Sequence, residues 1–237
     1  MLAMLTYLVL TYLAGAVPFG IVITTFHPND VDVRAVGSGN IGATNVARIF
    51  GWRTAFWVLL LDLLKGLLPV LGALLMWPEM GRPFAGLVAV TAFAAHCWPV
   101  YLEFRGGKGV ATASGALLAL SPLPTALSAV VWALILAATR RASYAALGAA
   151  LAILGFSTWF DPRVIPLVAL LAVAVAIRQA TSASRWMREA EAEAARPVRW
   201  GRRAAAPATA AEVLEQDPSG GGRGTAPWRE APTQTEL

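Results

Sequence analysis

The sequence predicts an all-α integral membrane protein with about seven membrane-embedded helices, N-terminus outside and C-terminus cytoplasmic. Three observations carry that prediction. Hydrophobic residues fill 57% of the 237 positions and charged residues only 14%, against about 25% charged in ordinary soluble domains. The apolar residues come in blocks long enough to cross hydrocarbon, separated by short turns rich in Gly, Pro and Arg. Most of the basic residues then fall on one side of those blocks. A net charge of +5 is therefore explained by membrane orientation, and nucleic acid is not an expected partner.

Met1 to about Thr25 is read as the first span. Ala14-Gly15-Ala16 resembles a signal-peptidase site, but no basic segment precedes it and the apolar run continues through Ile23, which predicts an uncleaved helix. His27-Pro28-Asn29-Asp30 ends it. Trp52 to Trp77 is the second span and carries Asp62 and Lys65 in its interior. Phe84 to Phe104 is the third. Val110 to Leu120 is apolar but too short to cross straight through, and a proline-bounded turn is expected at Ser121-Pro122-Leu123-Pro124. Thr125 to Thr139, Ala142 to Trp159 and Val164 to Arg178 complete the apolar part.

With that order, Arg34, Arg48, Arg53, Arg105, Lys108, Arg140, Arg141, Arg178, Arg185 and Arg188 share one face, and only Arg82 and Arg163 lie on the other. The basic face is the cytoplasmic one. Residues 1–188 form a polytopic membrane domain. Residues 189–237 are rich in Ala, Pro and Gly, lack apolar periodicity and read as a disordered cytoplasmic tail.

Against this background the segment Gly37-Ser38-Gly39-Asn40-Ile41-Gly42-Ala43-Thr44-Asn45-Val46-Ala47-Arg48 is an anomaly. Lipid cannot hydrogen-bond irregular backbone, so such a loop must sit at the surface, in protein or beside water. Its glycines let successive N–H groups point one way. Ser38, Asn40, Thr44 and Asn45 add polar side chains, and Arg48 adds a cationic fork, which together suit phosphate. Gly37, Gly39 and Gly42 match a dinucleotide fingerprint, but that pattern requires a βαβ unit and here spanning helices flank it. Gly106-Gly107-Lys108-Gly109 similarly resembles a P-loop, yet Leu102 stands where its first Gly belongs and Gly109 where Ser or Thr should follow Lys. What remains is a second glycine loop with a cation at a helix start. Two such loops on one face, joined there by Arg140 and Ser143, suit one or two phosphorylated molecules.

Asp62 and Lys65, at i and i+3, share a helix face and are expected to pair within the bilayer, in either a functional or a structural role. His96, near mid-span by count, reads as a packing residue served by Asn45 or a backbone carbonyl. Cys97, the only cysteine, reads as a small buried hydrophobe. Two His, one Cys and no clustered carboxylates give no metal site, and no cofactor is expected.

At these residues the chain resembles the bacterial acyl-phosphate-dependent glycerol-3-phosphate acyltransferases, the integral-membrane PlsY type. The resemblance spans about Met1 to Arg178. It rests on Pro18-Phe19-Gly20 with Val36 to Arg48, on Leu61-Asp62-Leu63-Leu64-Lys65-Gly66, on His96 with Pro99 and Phe104 to Thr112, and on Arg140 with Ser143. It implies seven helices in the bacterial cytoplasmic membrane. It also implies acyl transfer from acyl-phosphate to the 1-hydroxyl of glycerol 3-phosphate, giving lysophosphatidic acid and phosphate. The implied catalytic residues are Ser38, Arg48 and Lys108. Gly37, Gly39, Asn40, Gly42, Thr44, Asn45, Gly106, Gly107, Gly109, Ser143, Gln179 and Ser182 are the implied substrate contacts.

The family's third motif, His-Arg-x-Asn-Ile-x-Arg-Leu, is degenerate here. Gln179 holds the His position, Ser182 the Asn position, and only Arg185 survives. A non-catalytic or weakly active paralogue that binds phosphorylated lipid precursors is therefore one alternative, and a small transporter of a phosphorylated solute is a second. The transporter reading lacks an inverted repeat, and its cations lie on one face rather than along a path. The sequence does not fix an oligomeric state and is compatible with a monomer.

Overall fold

The computed structural model describes residues 1–27 and 31–194, with the backbone alone for 183–194. Of the expected tail, 189–237, the first residues to Ala194 are helical and not disordered, since the last helix continues through them; residues 195–237, and Pro28 to Asp30, lie outside the described residues. Among those described there are nine α-helices and no strand: α1 (Leu2–Gly15), α2 (Phe19–Thr25), α3 (Ala43–Phe50), α4 (Trp52–Met76), α5 (Gly81–Cys97), α6 (Val110–Leu120), α7 (Pro122–Thr139), α8 (Ala142–Phe160) and α9 (Ile165–Ala194). Five helices are long and apolar enough to cross a membrane, or six if the bent pair α1 and α2 forms one span. The seventh element of the sequence reading is α6, whose 11 residues reach about 16 Å, roughly half of the hydrocarbon core.

Several boundaries differ from the sequence reading for physical reasons. The first span is not one straight helix but two, bent by 44°. Pro18, at the start of α2, has no N–H to give and its ring would strike the carbonyl one turn back. The third span ends as a helix at Cys97, because Trp98-Pro99 turns the chain into a short 3-10 turn over Val100–Leu102. His96 consequently lies in the last turn of α5, beside the second glycine loop, and not at mid-span. Pro122 and Pro124 do not form a separate turn; they lie in the first turn of α7, where the missing N–H has no helical partner to lose. The last helix runs on past Arg178 to Ala194, so Gln179 and Ser182 lie on it and not in a following loop.

Small residues set how closely the helices approach. A Cβ on Gly66 of α4 would collide with the carbonyl oxygen of Thr112 on α6, and one on Gly115 of α6 with that of Leu63 on α4. The two backbones therefore touch, which small residues permit and which drives helix association where water is absent. Thr112 Oγ1 also donates to the Asp62 carbonyl at 2.9 Å across this contact. On the other side of α5, Ala92 and Ala95 meet Gly15 of α1. Phe93, Leu117, Ile153, Val168 and Leu171 then join α5, α6, α8 and α9 in one core. Large exposed apolar residues such as Leu75, Leu134 and Trp159 lie on faces where lipid, not water, is the expected neighbour. At one end of the bundle Arg82 of α5 pairs with Asp161 after α8 at 2.7 Å.

Candidate active site

The first glycine loop is built around Asn45, which is buried. Its Nδ2 donates to the carbonyls of Val33 (2.9 Å) and Val36 (3.0 Å), and its Oδ1 accepts the Ser38 N–H (3.0 Å). Gly37 and Gly39 take positive φ, +66° and +62°, which L side chains adopt only with strain. A Cβ on Gly37 would also strike Asn45 Oδ1. Asn40 Oδ1 accepts the Gly42 N–H at 3.3 Å, and α3 starts at Ala43. Asn45 thus spends both of its N–H groups shaping the cradle, and it serves the loop rather than His96. Beside it, Arg34 pairs with Asp32 at 2.7 Å, and these hydrogen bonds hold the Asp32 carboxyl below its usual range.

The second loop folds back on the end of α5. Gly106 N–H donates to the Cys97 carbonyl and Gly107 N–H to the His96 carbonyl, both at 3.1 Å. Gly109, at φ +79°, starts α6. Lys108 Nζ donates to Ser143 Oγ at 3.4 Å, and that hydroxyl donates to Gln179 Oε1 at 3.1 Å. Burial pushes the Lys108 ammonium below the ordinary lysine value, with the positive charges of Arg48 and Arg178 adding to the effect. A cation crowded by cations is a cation that an anion would relieve.

Two cavities meet over these loops. A polar one of about 460 Å³ is lined by Ser38, Gly39, Asn40, Gly106, Gly107, Lys108 and Ser182, together with Arg34, Arg105 and Arg178. A larger, mainly apolar one of about 990 Å³ is lined by Gly37, Gly42, Thr44, Asn45, Arg48, Gly109, Ser143 and Gln179 at one end and by Leu59, Leu63, Ala129 and Trp132 among others. Ser38, Asn40, Lys108 and Ser182 line both. Every residue implied as catalytic or as a substrate contact lines one cavity or the other. The larger cavity also receives the starts of three helices: Ala43 and Thr44 of α3, Val110 and Ala111 of α6, and Ala142 and Ser143 of α8. Each helix start carries unsatisfied N–H groups and roughly half a positive charge. Their convergence adds to the cationic side chains, an arrangement suited to an anion.

Two assignments change. Arg140, expected beside Ser143, is the left-handed cap of α7 at φ +56°, and it is Arg141 that lines the larger cavity. Arg178, read from sequence only as a topological charge, lines the polar cavity and binds the second loop. Its one sequence signal is its place directly before Gln179. Below the loops, Asp62 and Lys65 pair at 2.9 Å as expected, each side chain 4% exposed. Lys65 also donates to the Val17 carbonyl at 2.9 Å. His96 Nδ1 lies 3.6 Å from the same Asp62 oxygen, a neighbour that sequence spacing did not reveal. Among the described residues no group of His, Cys, Asp and Glu is placed to hold a metal.

Fold and site together define a polytopic membrane protein in which a cationic, glycine-built polar cavity shares its wall with an apolar one. Comparison with known proteins narrows this. The family model for glycerol-3-phosphate acyltransferase matches residues 5–189. A glycerol-3-phosphate acyltransferase of Syntrophotalea carbinolica is 40% identical over 186 residues, which is 78% of this chain and 94% of that protein. One from Anaeromyxobacter sp. is 50% identical over 149 residues, 61% and 72% of the two chains. The crystal structure of PlsY, an integral membrane glycerol 3-phosphate acyltransferase, in its glycerol 3-phosphate form superposes with a TM-score of 0.70 at 32% identity, covering 79% of this chain and 93% of that one. Its lysophosphatidic acid form gives 0.68 at 31%. The chain belongs to the glycerol-3-phosphate acyltransferase family.

Proposed function

We propose that this protein transfers an acyl group from acyl-phosphate to the 1-hydroxyl of glycerol 3-phosphate at the cytoplasmic face of a bacterial inner membrane, releasing lysophosphatidic acid and phosphate. The observation that carries the reading is the pair of cavities sharing Ser38, Asn40, Lys108 and Ser182. A small polar chamber suits a short phosphorylated alcohol, and the apolar one suits a fatty acyl chain. The acyl-phosphate group then sits where the two meet. Orientation follows from charge: Arg34, Arg48, Arg105, Lys108, Arg141 and Arg178 all line the cavities. The Arg82–Asp161 pair marks the other end, and the positive-inside rule makes the cavity end cytoplasmic.

In the proposed reaction the 1-hydroxyl oxygen bonds to the acyl carbonyl carbon, and the bond from that carbon to the phosphate oxygen breaks. The hydroxyl proton goes to a phosphate oxygen of a substrate. No enzyme nucleophile is needed, since an acyl-phosphate already has a good leaving group. The protein's share is placement and charge. Lys108 and Arg48 neutralise the departing phosphate, with the N–H groups of both glycine loops around it. Ser38, Asn40 and Thr44 hold and orient substrate from the first loop. Ser143 aims the Lys108 ammonium, and Gln179 fixes Ser143 by accepting its proton in a hydrogen bond. Because Gln179 has no basic nitrogen, proton acceptance by substrate is the route left to this chain.

The replacement of the family's His by Gln179 favours one second reading, a weakly active or non-catalytic paralogue that binds the same substrates. Purified protein supplied with acyl-phosphate and glycerol 3-phosphate separates the two. Lysophosphatidic acid formed with acyl-phosphate, and not with an acyl thioester, supports the enzyme and its donor. No product above background would sink the enzyme reading and leave the binding one.

A further inference from the structure

We propose that Arg178 is a positioning residue for the Lys108 loop, gripping its backbone instead of binding substrate phosphate. The proposal rests on the reading that Lys108 stabilises the leaving phosphate. Arg178 Nε donates to the Gly107 carbonyl at 3.1 Å, while its Nη2 donates to the carbonyls of Gly106 at 2.9 Å and Gly107 at 2.8 Å. Three of the five guanidinium N–H groups are thereby spent on protein backbone. The guanidinium carbon lies 5.3 Å from the centre of the Trp98 ring, which adds a cation–π contact.

The same two residues are also held through their N–H groups, which donate to the carbonyls of Cys97 and His96, so the peptide group between Gly106 and Gly107 is fixed at both edges. A Cβ on Gly106 would strike the His96 carbonyl, and one on Gly107 the His96 Nε2. Gly106 and Gly107 are thus clamped between α5 and α9 with no room for a side chain, and Lys108 is the next residue. Arg178 therefore fixes the backbone just before Lys108. Its neighbour Gln179 accepts from Ser143, which accepts from the Lys108 ammonium. Two successive residues of α9 hold both ends of one lysine.

A lysine at 178 would keep the charge but lose the planar fork, so it separates a clamp from a phosphate ligand. Arg178→Lys and Arg178→Ala are assayed in membranes, with product formation normalised to immunoblotted protein and Lys108→Ala as the reference. The expected result is a kcat about 10²-fold lower in both Arg178 variants, the scale of an ångström misplacement of a catalytic group. Protein level and thermal unfolding stay near wild type, and added guanidinium, but not methylammonium, restores part of the Arg178→Ala activity. Arg178→Lys keeping most of its activity while Arg178→Ala loses it would overturn the proposal in favour of a phosphate ligand. Normal activity in both variants while Lys108→Ala is inactive would overturn the clamp alone. Loss of both proteins from the membrane would make Arg178 a folding residue instead. Full activity in Lys108→Ala would remove the underlying reading first.

Discussion

Asp62→Ala is the most demanding test of how this bundle is assembled. The change deletes a carboxylate 2.9 Å from Lys65 Nζ, with both side chains 4% exposed. Lys65 keeps one hydrogen bond to the Val17 carbonyl and a ring contact with Phe19, but it loses its only paired acid among the described residues. Breaking a buried pair from one side costs about 3–5 kcal/mol, since the remaining charge is stranded. At roughly 2–4 °C per kcal/mol for a chain of this size, the melting temperature should fall by about 6–20 °C. Replacing the pair together, Asp62→Leu with Lys65→Met, should recover all but about 1 kcal/mol, the worth of the lost bond to Val17. Tryptophan fluorescence during heating of detergent-solubilised protein reads both numbers. A single variant melting within about 2 °C of wild type, or a double variant less stable than the single one, would refute the reasoning.

Other consequences bear on the chemistry. Arg48→Ala or Lys108→Ala should lower kcat by about 10²–10³-fold, the usual loss for one charge-stabilising donor, without changing the melting temperature; product formation and unfolding measured side by side check this. In the proposed mechanism Lys108 must be protonated to receive the leaving phosphate. Since burial, with Arg48 and Arg178, lowers its pKa, activity should be fully present near neutrality. It should be lost as pH rises through a value below that of an ordinary lysine; Lys108→Arg, if active, should lack this alkaline limb of kcat/KM. Gln179→His introduces a group that titrates near 6.5. The pH–rate profile should gain an acid limb absent from the wild type, and any rate gain, up to the roughly 10²–10⁴-fold of a general base, measures what substrate assistance leaves undone. Gly115→Leu should abolish folded protein, because α4 and α6 touch backbone to backbone there; normal extraction would refute that packing.

That the glycine-loop residues come together was legible in the sequence, because a polar glycine loop has few places to go in a chain of this composition, and they do line the two cavities. The same holds for Asp62 and Lys65, whose i and i+3 spacing is local. What was not legible depends on contacts between distant segments. Nothing local says that Asn45 turns its amide back on Val33 and Val36, or that Asp62 meets His96 from a different helix. Arg178 looked like a topological charge because its partners are carbonyl oxygens, which leave no mark in sequence. The errors at the first and third spans share a cause. Hydropathy sees an unbroken apolar run through Pro18 and Pro99, whereas the helix is interrupted at each; Pro69 sits within the continuous α4, so proline alone did not mark which runs would break.

In the proposed reaction a water-soluble anion meets a lipid-soluble anhydride, and those breaks supply a place common to both. Irregular backbone is tolerated near a bilayer only where it is buried or lines a polar cavity. The bend at Pro18 brings the start of α2 against the first loop, and Gly20 there packs so close to the Ile41 carbonyl that a Cβ would collide with it. The break after Cys97 lets the second loop fold back onto the end of α5. Each interruption thus releases a glycine loop at the level where helix starts converge and where the apolar cavity meets the polar one. On the proposed mechanism an acyl chain stays among Leu59, Leu63 and Trp132 while its phosphate reaches Lys108, so neither substrate has to leave its preferred solvent before the bond is made.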